Sequence, residues 1–242
     1  SKAKTKEQLL ESTVHRHIQQ HLNKKLVLAF SGGLDSTVLL HLLKKTTSAR
    51  FRAIHINHQL QSESNRWEDH CKKTTQKWKV EFQSFQIVVA KGNLENEARI
   101  ARYKTLFENL KDDELLITAH HATDQAETFL MNAFRQSGLL GLRGMHNERA
   151  IGRPLLHIPQ KMLNQYAKKH RLSFIEDPMN ENQNSTRVFI RKKVLPLMMD
   201  EKPTYMILVD NLRYDQWKII EPFVLEDFII ETDEIYTSIL PT

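Results

Sequence analysis

The sequence predicts an α/β fold: a parallel sheet with helices on both faces, followed by a small C-terminal extension. Three observations predict it. Strand-like segments alternate with helix-like segments from residue 26 to residue 135, the pattern of crossover-connected parallel strands. Leu115 to Ala119 reads as an apolar strand, suited to a position covered on both faces. Leu26 to Phe30 breaks into Ser31-Gly32-Gly33 and then enters a helical pattern, a strand, a tight turn and a helix start.

The elements follow in order. Leu9 to Leu22 is an amphipathic helix and Leu26 to Phe30 the first strand. Ser36 to Lys45 is a helix that buries Val38, Leu39, Leu42 and Leu43. Phe51 to Asn57 is a strand, Arg66 to Trp78 a polar helix, and Phe82 to Val88 an alternating strand. Leu94 to Leu110 is helical, and after the Leu115 strand comes a helix from Asp124 to Arg135. Beyond residue 136 the pattern changes to a glycine-punctuated loop, Ser137 to Met145, and then Arg153-Pro154-Leu155-Leu156. A helix near Gln160 to His170, a short strand at Ser173 to Ile175 and a basic helix over Asn184 to Met198 complete this part. Ligands of such sheets bind beyond the carboxyl ends of the strands. That edge gathers Ser31 to Ser36, His55 to His58 and His120 to Asp124.

Composition narrows the classes. Forty per cent of the 242 residues are hydrophobic, enough for a buried core, and no apolar run is long enough to span a bilayer. The first residues lack the apolar core of a secretory signal. Cys71 is the single cysteine, which excludes an intrachain disulfide, cysteine-based zinc fingers and paired-cysteine sulfur chemistry, and fits a reducing cytoplasm. The net charge of +6 hides an asymmetry: residues 201 to 242 carry nine acidic and three basic side chains, and the first 200 carry 20 acidic and 32 basic ones. A body this basic points to a polyanionic partner, nucleic acid above all.

Ser31, Gly32, Gly33, Leu34, Asp35 and Ser36 are the candidate phosphate cradle. Glycines let the backbone approach a phosphate, and a helix N-terminus presents unpaired N–H groups. No lysine follows in the Walker A position, so this is a different kind of triphosphate loop. Asp35 is either a magnesium ligand or a helix N-cap. His120 and Asp124 lie four residues apart across a strand-to-helix junction, placed for proton transfer or amine binding. The alternative is an Asp124 N-cap with His120 as its partner. Glu127, one turn on, is either a site residue or a solvated one. Arg99 and Arg102 are three apart on one helix and could meet phosphate or substrate. His55, His58 and His121 lack the spaced carboxylates or cysteines of a metal site. Trp67 and Trp78 either stack on bases or pack against the protein.

Taken together, the segments SGGLDST, HINH, EARIARY, TAHHATDQAET, SGLLGLRGM, RPLL and IEDPMNEN resemble the tRNA(Ile)-lysidine synthetase family of PP-loop, adenine nucleotide alpha hydrolase-like proteins over residues 1–200. The resemblance implies that ATP adenylates C2 of the wobble cytidine in a tRNA(Ile) with a CAU anticodon, with loss of pyrophosphate. The amine of L-lysine then displaces AMP to form lysidine. It implies magnesium at Asp35, catalytic roles for Asp35, His120, Asp124 and Arg102, and adenine contacts near Ile56 and Asn57. Arg99, Glu127, Arg153, Arg187 and Arg191 would bind substrate, the arginines suiting RNA phosphate. It implies no membrane and leaves a homodimer open. The expected division is a PP-loop catalytic domain over 1–145, a tRNA-contacting remainder over 146–200 and an unrelated acidic tail over 201–242.

The sequence departs from the family pattern at Thr123, where an aspartate is usual, at Gln136-Ser137-Gly138, and at Val188 in place of an asparagine. The family also continues into a helical linker and a C-terminal tRNA-binding domain that these residues do not contain. Residues 203–242 instead resemble the opening of a PglZ-type domain of the alkaline phosphatase superfamily, with Asp210 after a strand and Thr242 at the nucleophile position. The other metal ligands of such a domain are missing, so no phosphatase activity is expected.

Overall fold

A computed structural model describes residues 5–47, 51–59, 63–87, 94–135, 144–145, 150–176 and 186–198. Five strands, β1 (Lys25–Ala29), β2 (Phe51–Asn57), β3 (Glu81–Gln86), β4 (Glu114–Ile117) and β5 (Ile151–Gly152), form one sheet in the order β3-β2-β1-β4-β5. All four pairings are parallel, with Leu26 opposite both Phe51 and Leu115, and Leu116 opposite Ile151. The strand order reverses at β1. The carboxyl ends of β1 and β4 therefore diverge into loops that leave on opposite sides, the crevice where such sheets bind ligands.

Strand alternation divides the core into two layers. Leu26, Leu28, Phe30, Leu115 and Ile117 pack with residues of α1 (Lys6–Gln19), α2 (Leu34–Thr46), α3 (Ser64–Lys77) and α6 (Gln160–Lys169). Val27, Ile54, Ile56, Leu116 and Ile151 pack on the other face against Leu106, Ala101 and Tyr103 of α4 (Leu94–Glu108). A third cluster joins Leu130 of α5 (Ala122–Phe134) to Ile190 and Leu195. These belong to a helical run of α7 (Thr186–Phe189), a π-helical turn Ile190–Val194 and α8 (Leu195–Met198).

Element types follow the sequence reading, and the differences have local causes. α1 begins at Lys6, earlier than its first apolar residue, because Thr5 as N-cap and Gln8 form a reciprocal capping box. β5 has no counterpart in the sequence reading, since two residues carry no periodicity. The strand expected at Ser173 to Ile175 is one bridge, Ile175 to Gly33. The expected helix over Asn184 to Met198 widens into a π turn, in which the Leu195 N–H reaches Ile190 O. Pro196 follows at once, lacking an N–H and crowding the carbonyl four residues back. The sheet continues past residue 145 through β5. The loop at residues 137–143, the segment 177–185, the departures at Gln136-Ser137-Gly138 and the acidic tail lie outside the described residues.

Candidate active site

The turn after β1 is held by its own side chains. The Gly33 N–H donates to Ser31 Oγ (3.3 Å), Ser36 Oγ donates to Gly33 O (3.1 Å), and the two serine hydroxyls lie 3.0 Å apart. Thr37 Oγ1 donates to Gly32 O at 3.3 Å, and the Ile175 N–H donates to the same oxygen at 2.9 Å. Gly32 has φ +81°, and a Cβ there would sit 2.7 Å from both Cys71 Sγ and Ile175 Cδ1. Glycine is required twice over, by conformation and by space. The N-cap of α2 is Gly33. Asp35 lies in the first helical turn instead of capping it, and its buried Oδ1 has no hydrogen-bond partner among the described residues.

The second half of the site is the start of α5. His121 is the N-cap, with its ring accepting the Asp124 N–H (3.4 Å) and its own N–H donating to Asp124 Oδ2 (2.9 Å). Asp124 is thus the capping-box partner at the third helical position, not the cap. His121 is 2% exposed and lies between two carboxylates, with Nε2 3.5 Å from Asp35 Oδ2 and Nδ1 3.6 Å from Asp124 Oδ2. Burial alone would lower its pKa. The hydrogen bond to Asp35 and the charges of Asp124, Asp35 and Glu127 outweigh burial and raise it.

His120, its neighbour, is poised the other way. Its Nδ1 shares a 2.9 Å hydrogen bond with Thr118 Oγ1. Burial, followed by the charges of Arg102, Arg153 and Arg187, pushes its pKa down to about 3. Adjacent histidines with opposite shifts mark a site with two tasks. The three arginines come from α4, the end of β5 and α7, so the fold gathers separate sequence candidates around one imidazole. Arg102 is half-buried with its guanidinium 5.4 Å from the Tyr103 ring, and burial, then Arg99 and Arg187, lower its pKa. Among the described residues no carboxylate lies within ion-pair distance of it. Arg99 is exposed.

Glu127 is fully buried, which removes the solvated reading. It accepts a bidentate pair from Arg191 (2.5 and 3.0 Å) and lies 3.7 Å from Arg187 Nε. Arg191 is thus engaged within the protein. Val188, on the same helical run, is buried. Ile56 and Asn57 end β2, where the Asn57 side chain is bound to Glu68 (2.8 Å) and its carbonyl accepts the Ile87 N–H at 3.0 Å. The His55 Nδ1–H donates to Phe30 O at 2.9 Å, with Cys71 Sγ 3.5 Å from the same nitrogen. Among the described residues no cluster of three or more histidine, cysteine or acidic side chains is arranged for a metal. The sequence offered His121 only as a metal ligand lacking partners, gave Thr118 no role and placed Ile175 only in a short strand. Only the first left a signal, the His-x-x-Asp spacing of a capping box.

An open parallel sheet with a glycine turn facing a polar helix start at its switch point defines a nucleotide-binding α/β protein. The chain belongs to the PP-loop domain family, which matches residues 6–198 and implies ATP as the nucleotide. It is similar to tRNA(Ile)-lysidine synthase of Wigglesworthia glossinidia brevipalpis, 38% identical over 87% of this chain and 59% of that one. It is also similar to the synthase of the same name from Histophilus somni, 42% identical over 75% of this chain and 46% of that one. The chain spans about half the length of the curated relatives it matches. The fold is that of a U34-tRNA thiolase from Methanococcus maripaludis, with TM-score 0.62 and 18% identity over 95% of this chain and 84% of that one. The likeness of residues 203–242 to a PglZ-type domain finds no support in these comparisons. Among the described residues no helix is long and apolar enough to cross a membrane.

Proposed function

We propose that this chain joins lysine to C2 of the wobble cytidine of tRNA(Ile) bearing a CAU anticodon, in the cytoplasm. The observation that carries this reading is the linkage of the glycine turn to α5 through His121, beside a half-buried arginine with no carboxylate partner among the described residues. Lysidine synthases among the relatives supply the substrates.

In the first step the C2 oxygen of cytidine attacks the α-phosphorus of ATP, and pyrophosphate leaves with the electron pair of the α–β bridging bond. Ser31, Gly32, Gly33 and Ser36 cradle the phosphates. Arg102, Arg153 and Arg187 hold charge that develops during transfer. His120, held neutral by burial and by those arginines, serves as a hydrogen-bonding group beside the transferring phosphate. In the second step the lysine amine attacks C2, AMP departs, and the amine's surplus proton passes to Asp124, with His121 holding that carboxylate in place.

Asp35 fits magnesium. Its Oδ1 is buried and unpartnered among the described residues, and magnesium usually takes one or two carboxylates along with substrate phosphates and water. Magnesium there would supply charge neutralisation on the triphosphate. The test is incorporation of labelled lysine into unmodified tRNA(Ile) with ATP and magnesium. Incorporation by this chain that Asp124→Asn loses supports the reading. ATP binding by a folded chain without incorporation overturns it, and ATP-dependent pyrophosphate release with another RNA would identify a different PP-loop adenylating enzyme.

A further inference from the structure

A second basic site lies at the far end of α2 from the glycine turn. Lys44, Lys45, Lys77, Lys79, His41 and Trp78 line a groove of about 420 Å³ between the C-terminal ends of α2 and α3. From Asp35 to Lys45 the helix rises about 15 Å, so this groove is separate from the active site.

The carboxylates near this end are already engaged. Lys45 pairs with Glu7 (3.1 Å) and Glu11 (2.5 Å), and Glu7 also binds Lys169 and His170. Among the described residues no carboxylate lies within ion-pair distance of Lys44, Lys77 or Lys79. Lysines at helix C-termini offset the macrodipole, about half a charge per helix. Three further ammonium groups on two helix ends exceed that need.

The groove is also built. Lys79 has φ +54°, in the left-handed region that glycine usually takes after a helix. Its N–H donates to Gln76 O (3.0 Å) and the Val80 N–H to Thr75 O (2.9 Å), which fixes Trp78 and Lys79 at the helix end. The half-buried Trp78 ring packs 5.4 Å from the His41 ring, and His41 Nδ1 is 2.9 Å from Tyr166 OH. The indole is a supported platform among cations, the combination that binds single-stranded nucleic acid by stacking and phosphate contact.

We propose that this groove binds a single-stranded RNA segment, with a base on Trp78 and phosphates on Lys44, Lys77 and Lys79. Because this rests on the RNA substrate proposed above, it assigns a second contact of that RNA outside the active site.

The test uses the full chain and a fluorescein-labelled single-stranded RNA 12-mer, with anisotropy followed across salt. In Lys44→Gln/Lys77→Gln/Lys79→Gln the slope of log K against log salt should fall by about 2. Trp78→Ala should weaken binding about 5- to 100-fold and Trp78→Phe much less, because phenylalanine keeps a stacking face. Thermal melts identify any variant that has lost its fold, and Trp78→Phe then carries the stacking test alone through a smaller loss. Arg153→Gln, at the active edge, is measured in parallel. A slope that falls with Arg153→Gln but not with the lysine triple variant overturns the groove and leaves the substrate reading intact. A slope that falls with the triple variant in a chain that incorporates no lysine supports the groove and removes the lysidine reading. Equal binding of polyglutamate, indifferent to Trp78→Ala, overturns RNA in favour of an acidic peptide. No RNA binding at low salt overturns it outright.

Discussion

The two edges of the sheet each bury charge, and they do it in opposite ways. At the amino edge Arg52 and Glu114 close on one another. Arg52 donates twice to Glu114 (2.8 and 2.6 Å), once to Gln83 (2.5 Å) and once to Asn109 O (2.7 Å), while Glu114 also accepts the Lys111 N–H (2.9 Å). The contacts are short, and the pair raises the arginine pKa and lowers the carboxyl one. At the carboxyl edge the contacts of the His121 ring run from 3.4 to 3.6 Å, although its backbone N–H holds Asp124 Oδ2 at 2.9 Å. Asp35 Oδ1 has no partner among the described residues, and the two histidines are shifted in opposite directions. A closed network holds strands together, and an open one keeps bonding capacity for something that arrives.

The largest effect should come from breaking the closed network. Removing one partner of a buried ion pair leaves a stranded charge and costs about 3–5 kcal/mol, whereas replacing both with apolar groups recovers most of that. Arg52→Met should lower the urea midpoint accordingly, and Arg52→Met/Glu114→Leu should restore it. The open network should respond in rate instead. Asp124→Asn should cut lysine transfer about 10²–10⁴-fold with a stability loss near that of a weakened cap, about 1 kcal/mol. A loss in urea as large as that of Arg52→Met would erase the distinction between the edges. Gly32→Ala sits between the two, because its strain falls on the turn itself. A non-glycine residue at φ +81° with two 2.7 Å contacts should cost about 1–3 kcal/mol and weaken ATP binding, measured by calorimetry on the folded fraction.

The same contrast explains what was legible in the sequence. The sheet, its helices and the glycine turn leave periodic or compositional marks, so their types were readable and only their ends moved. Arg102, Arg153 and Arg187 were each readable as candidates, but nothing in the linear order says that His120 collects all three. The role of His121 was hidden by its position beside His120, because a strand-to-helix junction turns adjacent side chains toward different partners. β5 was invisible because two residues carry no pattern, and the short strand read at Ser173 to Ile175 shrinks to a single bridge whose partner, Gly33, no local pattern names. Glu127 could not be told from a solvated residue until the arginines of a distant helix were seen to close over it.

Acid titration gives a graded effect, small near neutral pH, and separates the edges most finely. His17, packed where α1 meets β5 with its Nε2 2.5 Å from the place a Cβ on Gly152 would occupy, is held at about 4 by burial and by His21. His120 is held at about 3 by burial and the arginines. Both refuse a proton that the unfolded chain accepts near the usual 6.5, so each costs stability as pH falls from about 6.5 toward 4, up to about 1.4 kcal/mol per pH unit. His121, raised, works in reverse: its contribution is present below its unfolded value and is lost as pH rises through the folded one. His17→Leu should therefore flatten the acid limb of the urea midpoint by up to one group's share, with or without ATP. ATP should flatten it further, because phosphate charge among Arg102, Arg153 and Arg187 raises the His120 pKa while leaving His17 untouched. An acid limb indifferent to ATP in the His17→Leu chain would place the phosphates away from His120 and reassign the arginine cluster to the fold.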